Sequence, residues 1–248
     1  MSYPAGTVGG MRADGPPTAA MTYVLIPGAG GSAEYWRLLV DELRRRGRVA
    51  VAVGLPAADE HAALPEYADT VRAAVDGHRD VTLVAQSLGA FTAPLVADHP
   101  AVRLLVLVNP MIPAPGETAG EWWAATGHAP ARAAYAAAQG RDPDADVDLA
   151  VDFFHDVPEE VTASMLAAGG PTESPAVFTR PNPLRRWPDV PTRVVSGRDD
   201  RFFPLEFQRR LARERLGVAP DELPGGHLLA LSEPALLADR LEAYQQQV

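Results

Sequence analysis

A serine, a histidine and one of two adjacent aspartates stand in surroundings that suit nucleophilic catalysis, although they lie far apart in the chain. They are Ser87, His227 and the pair Asp199 and Asp200. A serine hydroxyl is a weak nucleophile near neutral pH, so it needs a base to take its proton and an acid to orient that base. Ser87 lies in Ala85-Gln86-Ser87-Leu88-Gly89, after the apolar run Val81–Ala85 and before a helical stretch holding Phe91 and Leu95. A strained turn from strand into helix brings the two elements close together, and it requires small residues two places before and two places after the nucleophile. Ala85 and Gly89 meet that need. A serine capping the helix would also fit this place, and the two roles are compatible because the turn begins the helix. Pro94, inside that helix, should bend it.

Among the six histidines, His61, His78, His99, His128, His155 and His227, the last is the best placed to act as base. It follows the last expected strand in Leu223-Pro224-Gly225-Gly226-His227, a loop whose glycines allow a tight path that swings the imidazole over the sheet edge. His61, His78 and His99 sit beside loops or helix ends, where solvation is expected. The pair His155-Asp156 reads as structural or substrate-facing, and no His and carboxylate cluster has convincing metal spacing. For the acid, the run Thr192–Ser196 leads into Gly197-Arg198-Asp199-Asp200-Arg201-Phe202-Phe203-Pro204. A carboxylate just beyond a parallel strand lies at the edge where sites in open α/β sheets collect. Both aspartates qualify by position, and one of them serves only the turn. The run Leu104–Val108 ends at Asn109-Pro110 and offers no carboxylate.

The elements that must position these groups follow from the order of apolar runs. Thr22–Ile26, Val49–Val53, Val81–Ala85, Leu104–Val108 and Thr192–Ser196, with a weaker run near Val218, alternate with amphipathic stretches, which is the pattern of a parallel sheet with crossover helices. The runs are apolar throughout, as expected of strands covered on both faces. Trp36, Leu39, Val40 and Leu43 recur at helical spacing before Gly47, and Ser232 can cap a last helix carrying Leu237, Leu241 and Tyr244 on one face. The expected fold is α/β, a mostly parallel central sheet of about six strands flanked by helices, in one domain over 21–248. From Met111 to about Pro191 the alternation breaks. So long an interruption reads as an inserted helical lid; it holds Trp122, Trp123, Phe153, Phe154, Met165 and Phe178, and Pro130–Gln139 reads as a helix.

Composition narrows the partners. With 248 residues, 47% hydrophobic and 22% charged, the chain can bury a large core. A formal net charge of -10 disfavours nucleic acid and anionic membrane surfaces, and no apolar run approaches a membrane span. The absence of cysteine excludes disulfides and thiolate chemistry and is compatible with the cytoplasm. Met1–Ala20, rich in Gly, Pro and Ala, lacks the apolar core of a signal peptide and reads as a disordered leader. Every basic residue is Arg, a bias from which no function follows.

From Thr22 to Tyr244 the chain resembles the α/β-hydrolase superfamily in its compact capped-esterase form. The order Ser87, Asp200, His227 matches the family order of nucleophile, acid and base. The resemblance favours Asp200 over Asp199, because Gly197, Asp200 and Pro204 match the family's Gly-x-x-Asp-x-x-x-Pro pattern. After the first strand Pro27-Gly28-Ala29-Gly30-Gly31 occupies the place of the family's His-Gly loop, with Pro27 in place of the histidine. The resemblance implies that the N–H groups of Leu88 and Ala29 form the oxyanion hole, with Gly30 a close alternative to Ala29. The glycine loop lacks the lysine and spacing of a phosphate-binding loop.

The implied activity is cofactor-independent hydrolysis of a carboxylic ester of a small, fairly apolar molecule by a serine enzyme, with the lid and its Trp122, Trp123 and Phe154 shaping the pocket or packing the lid itself. Ser87 stands where haloalkane dehalogenases and epoxide hydrolases carry aspartate, which disfavours both. Carbon–carbon hydrolases, thioesterases, hydroxynitrile-lyase-like enzymes and a non-catalytic small-ligand receptor on the same fold remain open.

Overall fold

A computed structural model describes residues 21–167 and 172–247. The expected leader, Met1–Ala20, lies outside the described residues. Among the described residues six strands form one parallel sheet in the order β2-β1-β3-β4-β5-β6. They are β1 (Thr22–Ile26), β2 (Val49–Ala52), β3 (Val81–Gln86), β4 (Val102–Val108), β5 (Thr192–Gly197) and β6 (Asp221–Leu223). Alternate side chains of one strand enter opposite cores. Tyr23 and Leu25 pack with Leu39, Val40 and Leu43 of α1 (Arg37–Arg45) and with Leu237 and Leu241 of α10 (Pro234–Gln245). Val24 and Ile26 pack with Tyr67 and Val71 of α2 (Leu64–Val75), Phe91 of α3 (Gly89–Thr92) and Phe207 and Leu211 of α8 (Leu205–Leu216). A strand with helices on both sides has no solvent face, so its sequence shows no polar alternation.

Strand order also fixes where a site can lie. From β1 the chain moves outward to β2, then returns to β3 on the other side of β1 and continues outward to β4. Loops leaving the carboxyl ends of β1 and β3 therefore diverge and open a crevice. Pro27–Gly31 follows β1 and Ser87 follows β3, so both border that crevice.

Three local expectations are corrected. The last strand is Asp221–Leu223, beyond Val218. Gly217, at φ 67, ends α8, and Val218 packs against the core while its N–H bonds back to Ala212 O at 3.4 Å. Val218 thus fills the apolar contact that often follows a helix stop. Ser232 is the last residue of α9 (Leu229–Ser232), its hydroxyl 3.5 Å from Leu228 O, and α10 starts at Pro234 after Glu233. Proline suits a first helical turn because its missing N–H has no partner there, and it ends the preceding helix. Pro94 does not bend a long helix. It sits in the 3-10 turn Ala93–Leu95, which ends α3.

Between β4 and β5 the described chain carries α4 (Ala119–Thr126), α5 (His128–Ala138), a π turn (Leu149–Phe153), α6 (Glu159–Ala167) and α7 (Pro175–Thr179). Local capping starts several of them. Thr118 and Glu121 form a reciprocal capping box on α4, and Asp148 accepts from Val151 N at 2.8 Å at the π turn. Among the described residues, no helix is long and apolar enough to cross a membrane.

Candidate active site

Ser87 adopts φ 49, a left-handed conformation that costs a non-glycine residue about 1–3 kcal/mol. Backbone bonds to the next strand and the loop beyond it hold it there. Its N–H donates to Val108 O at 3.0 Å, and its carbonyl accepts from Met111 N at 3.0 Å and Ala90 N at 3.1 Å. The turn is tight enough that a Cβ on Gly89 would lie 2.6 Å from Pro27 O and 3.0 Å from Ile26 O, so glycine is required. Among the described residues the Ser87 hydroxyl makes no hydrogen bond and does not cap α3, whose first turn follows Leu88. The side chain borders the crevice.

The imidazole of His227 meets Asp200, with Nδ1 2.8 Å from Oδ2, and both side chains are buried. An ionised carboxylate only accepts, so the ring proton resides on Nδ1 and Nε2 keeps a free lone pair. Asp200 is held in turn. Its Oδ1 accepts from Phe202 N at 2.9 Å and Phe203 N at 2.8 Å, and its Oδ2 also accepts from Gln208 Nε2 at 3.3 Å. Phe153, Phe202 and Phe203 set their rings at steep angles to the imidazole, with centroids 5.1, 5.4 and 4.9 Å away. Such an apolar collar keeps water away and strengthens the hydrogen bond between the imidazole and Asp200. Asp199 serves the loop, accepting from Gly225 N at 3.2 Å and donating its own N–H to Gly225 O at 3.0 Å.

Sequence reasoning missed Asn109, which fixes the histidine loop to the sheet. Fully buried at φ 43, it donates from Nδ2 to Gly226 O at 3.0 Å and His227 O at 2.9 Å, while its Oδ1 accepts from Gly197 N at 2.7 Å and Gln208 Nε2 at 3.3 Å. Asparagine tolerates the left-handed region better than most residues, and an Asn-Pro closing a buried strand was the available signal. Asp156 adds a clamp from the segment before β5, accepting from Gly226 N at 2.6 Å. Burial lowers the pKa of its neighbour His155, against the pull of Asp156. His128 lies inside an aromatic cluster with Nε2 2.7 Å from Phe202 O, and burial lowers its pKa too. His61 is exposed, whereas His78 and His99 are half-buried beside Thr22 and Asp76.

Ser87 and His227 line one cavity of about 560 Å³, together with Ala29 and Leu88. No hydrogen bond joins Ser87 to His227 among the described residues. The Ala29 and Leu88 N–H groups donate to no acceptor among the described residues, whereas Gly30 N–H donates to Glu173 Oε2 at 2.8 Å. The far wall comes from the segment between β4 and β5 and includes Trp123, Leu149, Phe153, Phe154, Met165 and Phe178. Trp122 turns away from the cavity, against the expectation that groups it with Trp123. Its Nε1 donates to Ile112 O at 2.9 Å and its ring packs on Phe203 and Phe207. Among the described lining residues Glu34 is the one carboxylate, and none is arginine.

A parallel sheet with a strained serine turn at its switch point, bordering the same cavity as a buried Asp–His pair, places the chain among α/β proteins of the hydrolase class. The chain belongs to the alpha/beta hydrolase family, whose model matches residues 23–240. Similar solved structures include a pyrethroid hydrolase from Sphingobium faniae JZ-2, at 22% identity and TM-score 0.70 over 92% of this chain and 98% of that one. Polyneuridine aldehyde esterase matches at 18% identity and TM-score 0.71, over 91% and 99% of the two chains. A methylesterase from Arabidopsis matches at 17% identity and TM-score 0.70, over 92% and 100%. At these identities the likeness is one of fold. No curated protein matches the chain.

Proposed function

We propose that this hydrolase is a serine esterase that cleaves a carboxylic ester of a small, neutral, fairly apolar molecule through an acyl-enzyme. The observation that carries it is the strained Ser87 bordering the same cavity as a buried imidazole whose Nδ1 is held 2.8 Å from Asp200. Ser87 Oγ attacks the ester carbonyl while His227 Nε2 takes its proton, and Asp200 stabilises the imidazolium that forms. The carbonyl oxygen becomes an oxyanion, bound by the Leu88 and Ala29 amides. His227 returns the proton to the departing alcohol. Water then repeats the sequence on the acyl-enzyme and releases the acid.

The Ser87–His227 hydrogen bond forms when substrate fills the cavity, since catalytic partners are often held apart in empty sites. The apolar lining and the lack of a lining arginine favour neutral substrates over anionic ones. The segment between β4 and β5 acts as the lid, and a cytoplasmic location suits a chain without cysteine. No cofactor takes part. Polyneuridine aldehyde esterase and the Arabidopsis methylesterase are named for ester cleavage, in line with this chemistry.

An organophosphonate probe that mimics the tetrahedral intermediate tests the mechanism. Intact-protein mass spectrometry should show one adduct on the wild type, none on Ser87→Ala and much slower uptake by His227→Ala. A folded wild type that takes no label from small probes would favour a ligand-binding receptor instead.

A further inference from the structure

Gly28–Gly31 forms a reverse turn, closed by Gly31 N–H donating to Gly28 O at 3.1 Å, with Gly30 at φ 89. A positive φ at the third residue marks a type II turn, which differs from type I in the direction its central amide faces. Here that amide is the Ala29–Gly30 peptide, and its N–H donates to Glu173 Oε2 at 2.8 Å. Glu173 belongs to the segment between β4 and β5, distant in sequence from the turn. Its Oε1 accepts from the Tyr67 hydroxyl on α2 and from Ser174 N at 3.1 Å. One carboxylate therefore ties the turn after β1, helix α2 and the inserted segment together. Burial alone drives the Glu173 pKa upward, and its three donors oppose this.

Resting on the serine-hydrolase reading above, we propose that Glu173 is a positioning residue for the oxyanion hole. By engaging the Gly30 N–H, it fixes the direction of the central peptide and leaves Ala29 as the turn's unengaged donor. If that peptide flipped, the Ala29 carbonyl would face the carboxylate and the turn would lose its type II form. Glu173 thus selects which of the two neighbouring amides serves the oxyanion. Tyr67, buried on α2, holds the carboxylate in register.

Steady-state hydrolysis of p-nitrophenyl butyrate, with binding of a trifluoromethyl ketone and of butyrate, tests this in the full chain. Glu173→Ala should lower kcat roughly 10- to 100-fold with KM within about threefold, because only the transition state uses the misplaced amide. Affinity for the ketone, which forms a tetrahedral adduct, should fall by the same factor as kcat/KM, and butyrate affinity should hold. Tyr67→Phe and Glu173→Gln should move the same quantities less. If Glu173→Ala does not fold, these two variants decide the matter on the same readouts.

A folded Glu173→Ala with wild-type kcat would overturn the proposal. So would a parallel fall of ketone and butyrate affinity, which marks general loss of the pocket. Phosphonate labelling separates the two levels. Failure of the Glu173 proposal leaves Ser87 labelled at the wild-type rate in Glu173→Ala, whereas an unlabelled wild type overturns the hydrolase reading and this proposal with it.

Discussion

The two walls of the cavity are built by opposite rules. On the sheet side, Asp200, Asn109 and the His227 loop are buried and joined by short directional hydrogen bonds to backbone groups. On the inserted side, the cavity lining is mostly apolar and several large side chains, including Val147, Leu149, Val151 and Leu166, remain exposed. Leu149 and Leu166 also line the cavity, so this exposed apolar surface is continuous with its rim. The inserted wall is not loose, since the buried Asp152 ties the π turn to Arg132 at 2.9 Å and to Arg141 at 3.4 Å. Proton transfer demands fixed angles, which hydrogen bonds supply. Apolar recognition is non-directional and tolerates variation in shape. On the serine-esterase reading proposed above, chemistry falls mainly to the sheet side and selectivity to the apolar lining of the inserted side.

That division fails if variants on the sheet side alter KM alone, or if variants of the apolar lining on the inserted side, as distinct from its polar Glu173 and Asp156, alter kcat equally for every ester. The largest effect is expected at the acid. Asp200→Asn should lower kcat by about four orders of magnitude, because the imidazole loses the acceptor that sets its tautomer. Asp199→Asn should cost only a few-fold, since the amide oxygen can still accept from Gly225 N. The reverse ranking in steady-state kinetics would reassign the acid.

Asn109→Ala ranks next. It strips partners from Gly197 N, Gly226 O and His227 O in a fully buried place, so chemical denaturation should show a loss of about 2–4 kcal/mol. With the His227 loop unpinned, kcat should fall by more than tenfold in the protein that remains folded, while KM changes little. A variant of normal kcat would show that Asp156 and Asp199 hold the loop without it.

The smallest effect is expected at the rim. Leu149→Ala should reduce kcat/KM about fivefold for long-chain esters, the value of roughly 1 kcal/mol of apolar contact, and leave acetate esters unchanged. An equal loss on both chain lengths would place Leu149 in the chemistry.

Much of this architecture is legible in the amino-acid order. Strands buried on both faces must be apolar throughout, so the runs ending at Ile26, Ala85 and Val108 announce themselves. Ser87 is marked by the small residues its turn requires, and Asp199 and Asp200 are both marked by their place just beyond β5, with only the family resemblance favouring the second. These are local requirements, each satisfied within a few residues. Decisions between distant segments are not written that way. Trp122 and Trp123 are neighbours about 100° apart on a helix, and only the packing of α4 turns one to the core and the other to the cavity. The strand Asp221–Leu223 is too short to carry a pattern, and its pairing with β5 alone defines it. Asn109, Asp156 and Glu173 act on groups distant in the chain. A hydrogen bond across such a separation leaves no periodicity in sequence, because its partners share a neighbourhood only after the sheet and its helices have assembled.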